Sequence, residues 1–256
     1  MPRLGQVPRD DAHPFAQAVY GAVFGDRDPV ADPGTASGTP GNWWTVFALV
    51  PDAFDHTTGG FQFYRSADRE LSDRHRELGQ TRAGYVVGSR FVFSQHCKAM
   101  RDAGFSDDQV ASIPNWSTAA CFDAAERALL AYTDCLALEH GRVPDALFAT
   151  LQEHFSEAEI LEFTYITSTY AMHATMSRAL RLEYDDVDAP VVEVPDPHGN
   201  SAGLAVMAAV DDTGPHPLPF VLLFRRYRRP ETQRKRDWGG FRPVRRSRRP
   251  APARAR

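Results

Sequence analysis

The chain has 256 residues, of which 43% are hydrophobic and 24% charged, with a formal net charge of −4. That composition supports a sizeable buried core in one large or two small domains. No stretch approaches the roughly 18 consecutive apolar residues of a membrane span. Three scattered cysteines (Cys97, Cys121 and Cys135), with no C-x-x-C pair, argue against a disulfide framework or a thiolate zinc site. The first residues, MPRLGQVPRDDAHP, are polar and proline-containing rather than basic and apolar, so a reduced cytoplasm is the expected compartment.

In chain order, residues 1–41 carry Pro, Gly and Asp at turn-forming density (DRDPVADPGTASGTPGN) and are expected to form an irregular arm. Trp43, Trp44, Val46, Phe47 and Leu49 then open a helix that Pro51 interrupts. Ser106 with Gln109, Asp123 with Glu126, and Ser156 with Glu159 each pair a capping residue with Glu or Gln three positions on, which marks a helix start. Leu129, Leu130, Tyr132, Leu136 and Leu138 recur at roughly helical spacing. His140-Gly141 supplies a stop, and Pro144 suits the first turn of the next helix. Residues 42–186 therefore read as an all-α domain of seven or eight helices.

Beyond it, residues 187–224 alternate apolar runs (VVEV, PFVLLF) with turn-rich ones, as in a hairpin or an extended arm. Residues 225–256 hold thirteen Arg and one Lys against Glu231 and Asp237. With interleaved prolines and little apolar content, that block is expected to be disordered, as a solvated tail or as a tether to nucleic acid or another anionic surface.

Chemistry concentrates in ELGQTRAGYVVGSRFVFSQH, Glu77 to His96. Gly88-Ser89 breaks the run into two helices, with Ser89 as the N-cap of the second. Helical periodicity puts Glu77, Thr81, Gly84, Tyr85 and Gly88 on one face of the first helix, and Ser89, Val92, Phe93 and His96 on one face of the second. If the faces meet across the small glycines, the Glu77 carboxylate reaches a ring nitrogen of His96, fixing its tautomer and raising its basicity. The same spacing also fits a surface glutamate in the charged run ADRELSDRHRE and a core histidine.

The segment from Glu77 to Gly104 resembles the carboxymuconolactone decarboxylase family, which includes the alkylhydroperoxidase D-like proteins. Glu77, His96 and Ala103-Gly104 stand where the family's thiol members carry Glu, His and Ala-Gly. Ser89 and Val92 stand where those members carry the two cysteines of Cys-x-x-Cys. GSRFVFSQH and GFSDDQVASI are instead similar to the thiol-free branch, and looser similarity extends over residues 42–183.

The resemblance implies an all-α, alkylhydroperoxidase D-like domain that assembles as a homo-oligomer, a trimer or a hexamer of trimers. It implies proton chemistry on a small carboxylated substrate of lactone or keto-acid type, with no cofactor and no metal. His96 would be the general acid/base and Glu77 its orienting partner, or the two roles exchanged if burial raises Glu77. Ser89, the amides beside it, or Arg90 would bind a carboxylate or oxyanion. Phe91 and Phe93, with Tyr85 and Trp43 or Trp44, would supply an apolar wall. Cys97 follows His96 directly and points about 100° away around the helix, so it does not replace the missing cysteines.

Other side chains weigh less. His75 is expected to be exposed, Asp134 and Glu139 to be solvated helix charges, and His140 to belong to a helix end. His173, in the apolar YAMHATM run, is a candidate for the pocket, and Glu77, His96 and His173 form a conceivable metal set. A thiol peroxidase acting through Cys97, and a non-catalytic oligomeric scaffold with a nucleic-acid-binding tail, are the competing functions.

Overall fold

The computed structural model describes residues 1–195; the expected hairpin or arm beyond that point and the Arg-rich block lie outside the described residues. Within them the chain forms nine α-helices and no strand. They are α1 (Pro14–Phe24), α2 (Asn42–Phe47), α3 (Pro51–Arg65), α4 (Asp73–Val87), α5 (Arg90–Asp102), α6 (Asp107–Ser112), α7 (Ala124–Ala137), α8 (Asp145–His154) and α9 (Glu157–Leu180). No described helix is long and apolar enough to cross a membrane.

The local chemistry explains the helix starts. All three expected capping boxes form, at Ser106, Asp123 and Ser156, each satisfying two amide donors that a helix start would otherwise leave open. Pro144 is the residue before α8 rather than its first turn. The stop after α7 is made by His140 and Gly141, both with positive φ, and the Gly141 amide donates to the Cys135 carbonyl.

The central element is α4, which packs against α5, α7 and α9. It ends at Gly88, whose φ of +86° closes the helix in the left-handed region. Ser89 then caps α5 by accepting from the Val92 amide at 3.1 Å. The turn folds α5 back along α4 so tightly that a Cβ on Gly84 would stand 2.8 Å from the Phe93 amide nitrogen.

Two apolar clusters form the core. One joins Leu78, Phe93, Met100, Leu129, Leu130 and Phe163. The other joins Tyr20, Phe24, Trp43, Phe47, Phe54 and Leu182, and Phe61 and Phe91 pack against both.

The second cluster corrects the expectation of an irregular N-terminal arm. Residues 14–24 are helical, with Pro14 at the first position, and Ala16, Val19, Tyr20, Val23 and Phe24 are buried. Outside α1 the first 41 residues hold no helix beyond a single 3₁₀ turn at Arg9–Asp11, as their turn-rich composition predicts. Two other expectations fail for packing reasons. His75 is half-buried, edge-on to Phe155 at 5.0 Å. Asp134 accepts from Arg82 at 2.7 and 3.0 Å and from the Trp116 indole at 3.0 Å, so it ties α4 to the turn before α7.

After α9 the chain turns through residues 183–186 and runs extended over 187–195, where Val194 donates to Ser94 on α5 and Glu193 pairs with Arg101. Glu183, itself buried, accepts from the Gly41 and Trp43 amides at 2.8 and 2.6 Å, while its own amide donates to Asn42. This clamp fixes the start of α2, and with it the two tryptophans.

Candidate functional site

Glu77 on α4 and His96 on α5 face each other across the Gly84 contact. His96 Nδ1 lies 2.7 Å from Glu77 Oε2, and both side chains are buried. Arg76 donates to the other carboxylate oxygen through Nε and Nη2, at 3.1 and 3.0 Å. The Gln80 amide, oriented with its nitrogen toward the carboxylate, donates to both oxygens at 3.3 and 3.2 Å. Arg76 is held in turn by the Tyr64 carbonyl at 2.8 Å and by Asp73 at 2.6 Å.

These partners decide the charge of Glu77. Burial alone would push its carboxyl up, but His96 and Arg76 outweigh that and hold it below the ordinary carboxylate value. Glu77 is therefore the anion of the pair, and an exchange of roles in which it serves as the acid is not supported. An ionised Glu77 accepts a hydrogen bond from Nδ1–H, which leaves Nε2 of His96 as the nitrogen available to a ligand.

The pair borders a cavity of about 90 Å³ lined by residues of α2, α3, α4, α5 and α9, together with Ser37 and Thr39. Its wall is aromatic. Trp43, Trp44, Phe61, Phe91 and Tyr170 line it, and the Tyr170 ring stands edge-on to His96 at 4.5 Å. His173 completes the wall, its ring 5.3 Å from Phe61 and 5.6 Å from Trp43. Burial, and then the neighbouring His96, depress the pKa of His173 to about 4, so it is neutral at neutral pH.

The expected site residues divide cleanly. Glu77, His96 and Phe91 come together at the cavity with Trp43, Trp44 and His173, whereas Ser89, Arg90, Phe93 and Tyr85 do not line it. The Ser89 hydroxyl is taken by Asp185 at 2.5 Å as well as by the cap, and Asp185 also accepts from the Phe91 amide. The anion site at the start of α5 is thus filled by the protein's own carboxylate. Phe93 is core, packed on Tyr85 at 5.4 Å, and Tyr85 lies beside the Arg82 guanidinium.

Sequence reasoning missed Arg76, Gln80, Gln95, Tyr64 and Tyr170. Gln80 lies one turn from Glu77 and Tyr170 one turn from His173, so helical spacing from the residues already singled out would have found both. Among the described residues no group of three His, Cys, Asp or Glu side chains is placed to hold a metal ion, and His173 does not join Glu77 and His96 in one.

Cys97 is fully buried in the main core, and burial, with Glu193 beside it, pushes its thiol well above the ordinary value. That is the reverse of what an attacking thiolate needs.

The fold and the site define an all-α domain built around a buried carboxylate–imidazole pair at an aromatic cavity. Residues 51–134 match the Carboxymuconolactone decarboxylase family. A crystal structure from Ralstonia eutropha JMP134, described as an alkylhydroperoxidase AhpD core and an uncharacterized peroxidase-related protein, is similar with a TM-score of 0.56 and 15% identity. The match covers 78% of this chain and 98% of that one. An uncharacterized peroxidase-related protein from Silicibacter sp. TM1040 is similar with a TM-score of 0.50 and 16% identity, over 55% of this chain and 74% of that one. At these identities the likeness establishes the fold. No curated protein matches the chain.

Proposed function

We propose that the chain is a thiol-independent, decarboxylase-like enzyme in which His96 transfers a proton and Glu77 orients and balances it. The observation that carries this reading is the 2.7 Å Glu77–His96 contact at the edge of an aromatic cavity. The substrate is a small carboxylated molecule of lactone or keto-acid type.

The scheme uses only the chain's own side chains. The bond from the substrate's carboxylate carbon to its neighbour breaks, carbon dioxide leaves, and the electron pair enters the adjoining carbonyl system as an enolate-like anion. Nε2–H of the His96 imidazolium protonates that carbon, and water restores the proton. The Glu77 carboxylate, 2.7 Å from the ring, orients it and balances its charge, and the low-polarity wall strengthens each charge interaction. Arg65, which lines the cavity, supplies a cation for the departing carboxylate.

The test is carbon dioxide release by the full chain from a panel of carboxylated lactones and keto acids. Turnover should fall by about 10²–10⁴-fold in His96→Asn and in Glu77→Gln. No turnover across the panel, or turnover indifferent to His96, would sink the reading.

A second reading, a hydroperoxide reductase, is supported by the peroxidase-related names of the two similar structures. It needs a thiolate, and the burial of Cys97 speaks against one there. Self-association belongs to the proposal as well, since Leu161, Tyr165 and Met172 stand exposed along α9 for a second copy to cover. A monomer in sedimentation equilibrium would end that part.

A further inference from the structure

At the cavity Arg76 and Gln80 hold Glu77, and Nδ1 of His96 does the same. Two other side chains stand out. Gln95 is 7% exposed, and neither its amide nitrogen nor its amide oxygen has a partner. His173 is 5% exposed, and its Nε2 has none. Both line the same cavity.

Buried amides and imidazoles without partners are rare, because each forfeits its hydrogen bonds to water at a cost of about 1–3 kcal/mol. Such atoms on two side chains of one cavity mark it as shaped for a ligand that completes them. Their chemistry states the ligand's edge. The Gln95 amide offers a donor and an acceptor side by side, and a neutral imidazole adds one more polar nitrogen. The aromatic wall of Trp43, Trp44, Phe61 and Phe91 favours a flat partner.

We propose that Gln95 and His173 are the recognition pair of this cavity, selecting a small planar molecule whose edge carries a carbonyl acceptor next to an N–H or O–H donor. The enol of a keto acid has that edge, so the proposal deepens the functional reading above and rests on it for the role of His96. The recognition itself can be tested without turnover.

Three flat six-membered rings of nearly equal size separate the contributions: 2-pyridone carries carbonyl and N–H, 2-pyrone carries the carbonyl with a ring oxygen, and benzene carries neither. Calorimetric titration of the full chain should rank them in that order, with 2-pyridone at least tenfold tighter than benzene. Gln95→Leu and His173→Phe keep the volume roughly and remove the polar atoms. Each should weaken 2-pyridone at least tenfold and leave benzene within twofold, benzene binding also reporting that the cavity is intact.

Equal affinity for 2-pyridone and benzene, no binding of 2-pyridone at millimolar concentration, or equal losses for both ligands in the variants would overturn the pair. A chain that discriminates these rings yet releases no carbon dioxide refutes the catalytic reading alone.

Discussion

Gly84 and Phe93 set the distance between α4 and α5, and through it the distance between Glu77 and His96. A Cβ on Gly84 would meet the Phe93 amide nitrogen at 2.8 Å, and that atom is backbone with no rotamer to yield. Gly→Ala inside a helix ordinarily stabilises by roughly 0.5–1 kcal/mol. Here overpacking of about 1–3 kcal/mol opposes it and wins. Gly84→Ala should lower the urea midpoint and weaken the Glu77–His96 contact, seen by NMR as a moved or broadened His96 Nδ1–H resonance. An unchanged or raised midpoint would show that the two helices have room to separate.

His173 makes stability depend on pH in a defined window. Its pKa falls from 6.5 unfolded to about 4 folded, because burial and then His96 disfavour the imidazolium. The unfolded chain thus binds the extra proton first as the pH drops. The stabilisation is whole above 6.5 and is lost progressively as the pH falls toward 4, by on the order of 3 kcal/mol. Glu77, held below its ordinary value, loses its share only at lower pH. Denaturant unfolding of wild type and His173→Phe between pH 4 and 7.5 should show a steeper acid loss in the wild type, and parallel curves would refute it.

The parts of the fold that could be read from the residues are those that local chemistry dictates. Each capping box joins residues three apart, and Gly88-Ser89 closes one helix and caps the next without outside help. Helical spacing from that break allows Glu77 and His96 to meet but equally allows a surface glutamate and a core histidine, and it is the resemblance of GSRFVFSQH to the family that singles the pair out. The signal for α1 was present in Ala16, Tyr20 and Phe24, four residues apart, but the turn-rich sequence after it masked the pattern. Ser89 shows the limit. Its hydroxyl goes to Asp185, 96 residues away, and no local spacing announces a partner at that distance. Gln95 and His173 share that limit, since only the tertiary fold brings their open polar atoms to one cavity.

Glu183 holds the aromatic wall in place by accepting from the Gly41 and Trp43 amides. Burial pushes its carboxyl up to about 7 despite these donors, so its cost is already high and its partners have no substitute. Glu183→Ala leaves two buried amides open, each worth about 1–3 kcal/mol. A destabilisation of that order is expected, with loss of the Trp43 near-ultraviolet signal. Glu183→Gln keeps one acceptor oxygen and should cost less. Equal, small effects of both would mean that water replaces the clamp.

Thiol labelling of the native protein separates the proton-transfer reading from the peroxidase one. Cys121 and Cys135 are partly exposed, while Cys97 is fully buried among apolar side chains with its thiol pushed up. With a thiol-reactive chromophore in excess, two cysteines should react quickly and Cys97 only at the rate of unfolding. Cys97→Ser should then leave turnover of any carboxylated substrate within about threefold, because its side chain does not line the cavity. A peroxidase would reverse both results. Cys97 would label fastest, the reaction would accelerate as the pH rose through its lowered pKa, and Cys97→Ser would abolish hydroperoxide consumption. The two outcomes share no intermediate case, since a sulfur that attacks a peroxide must reach it as a thiolate and a thiol sealed in the core does neither.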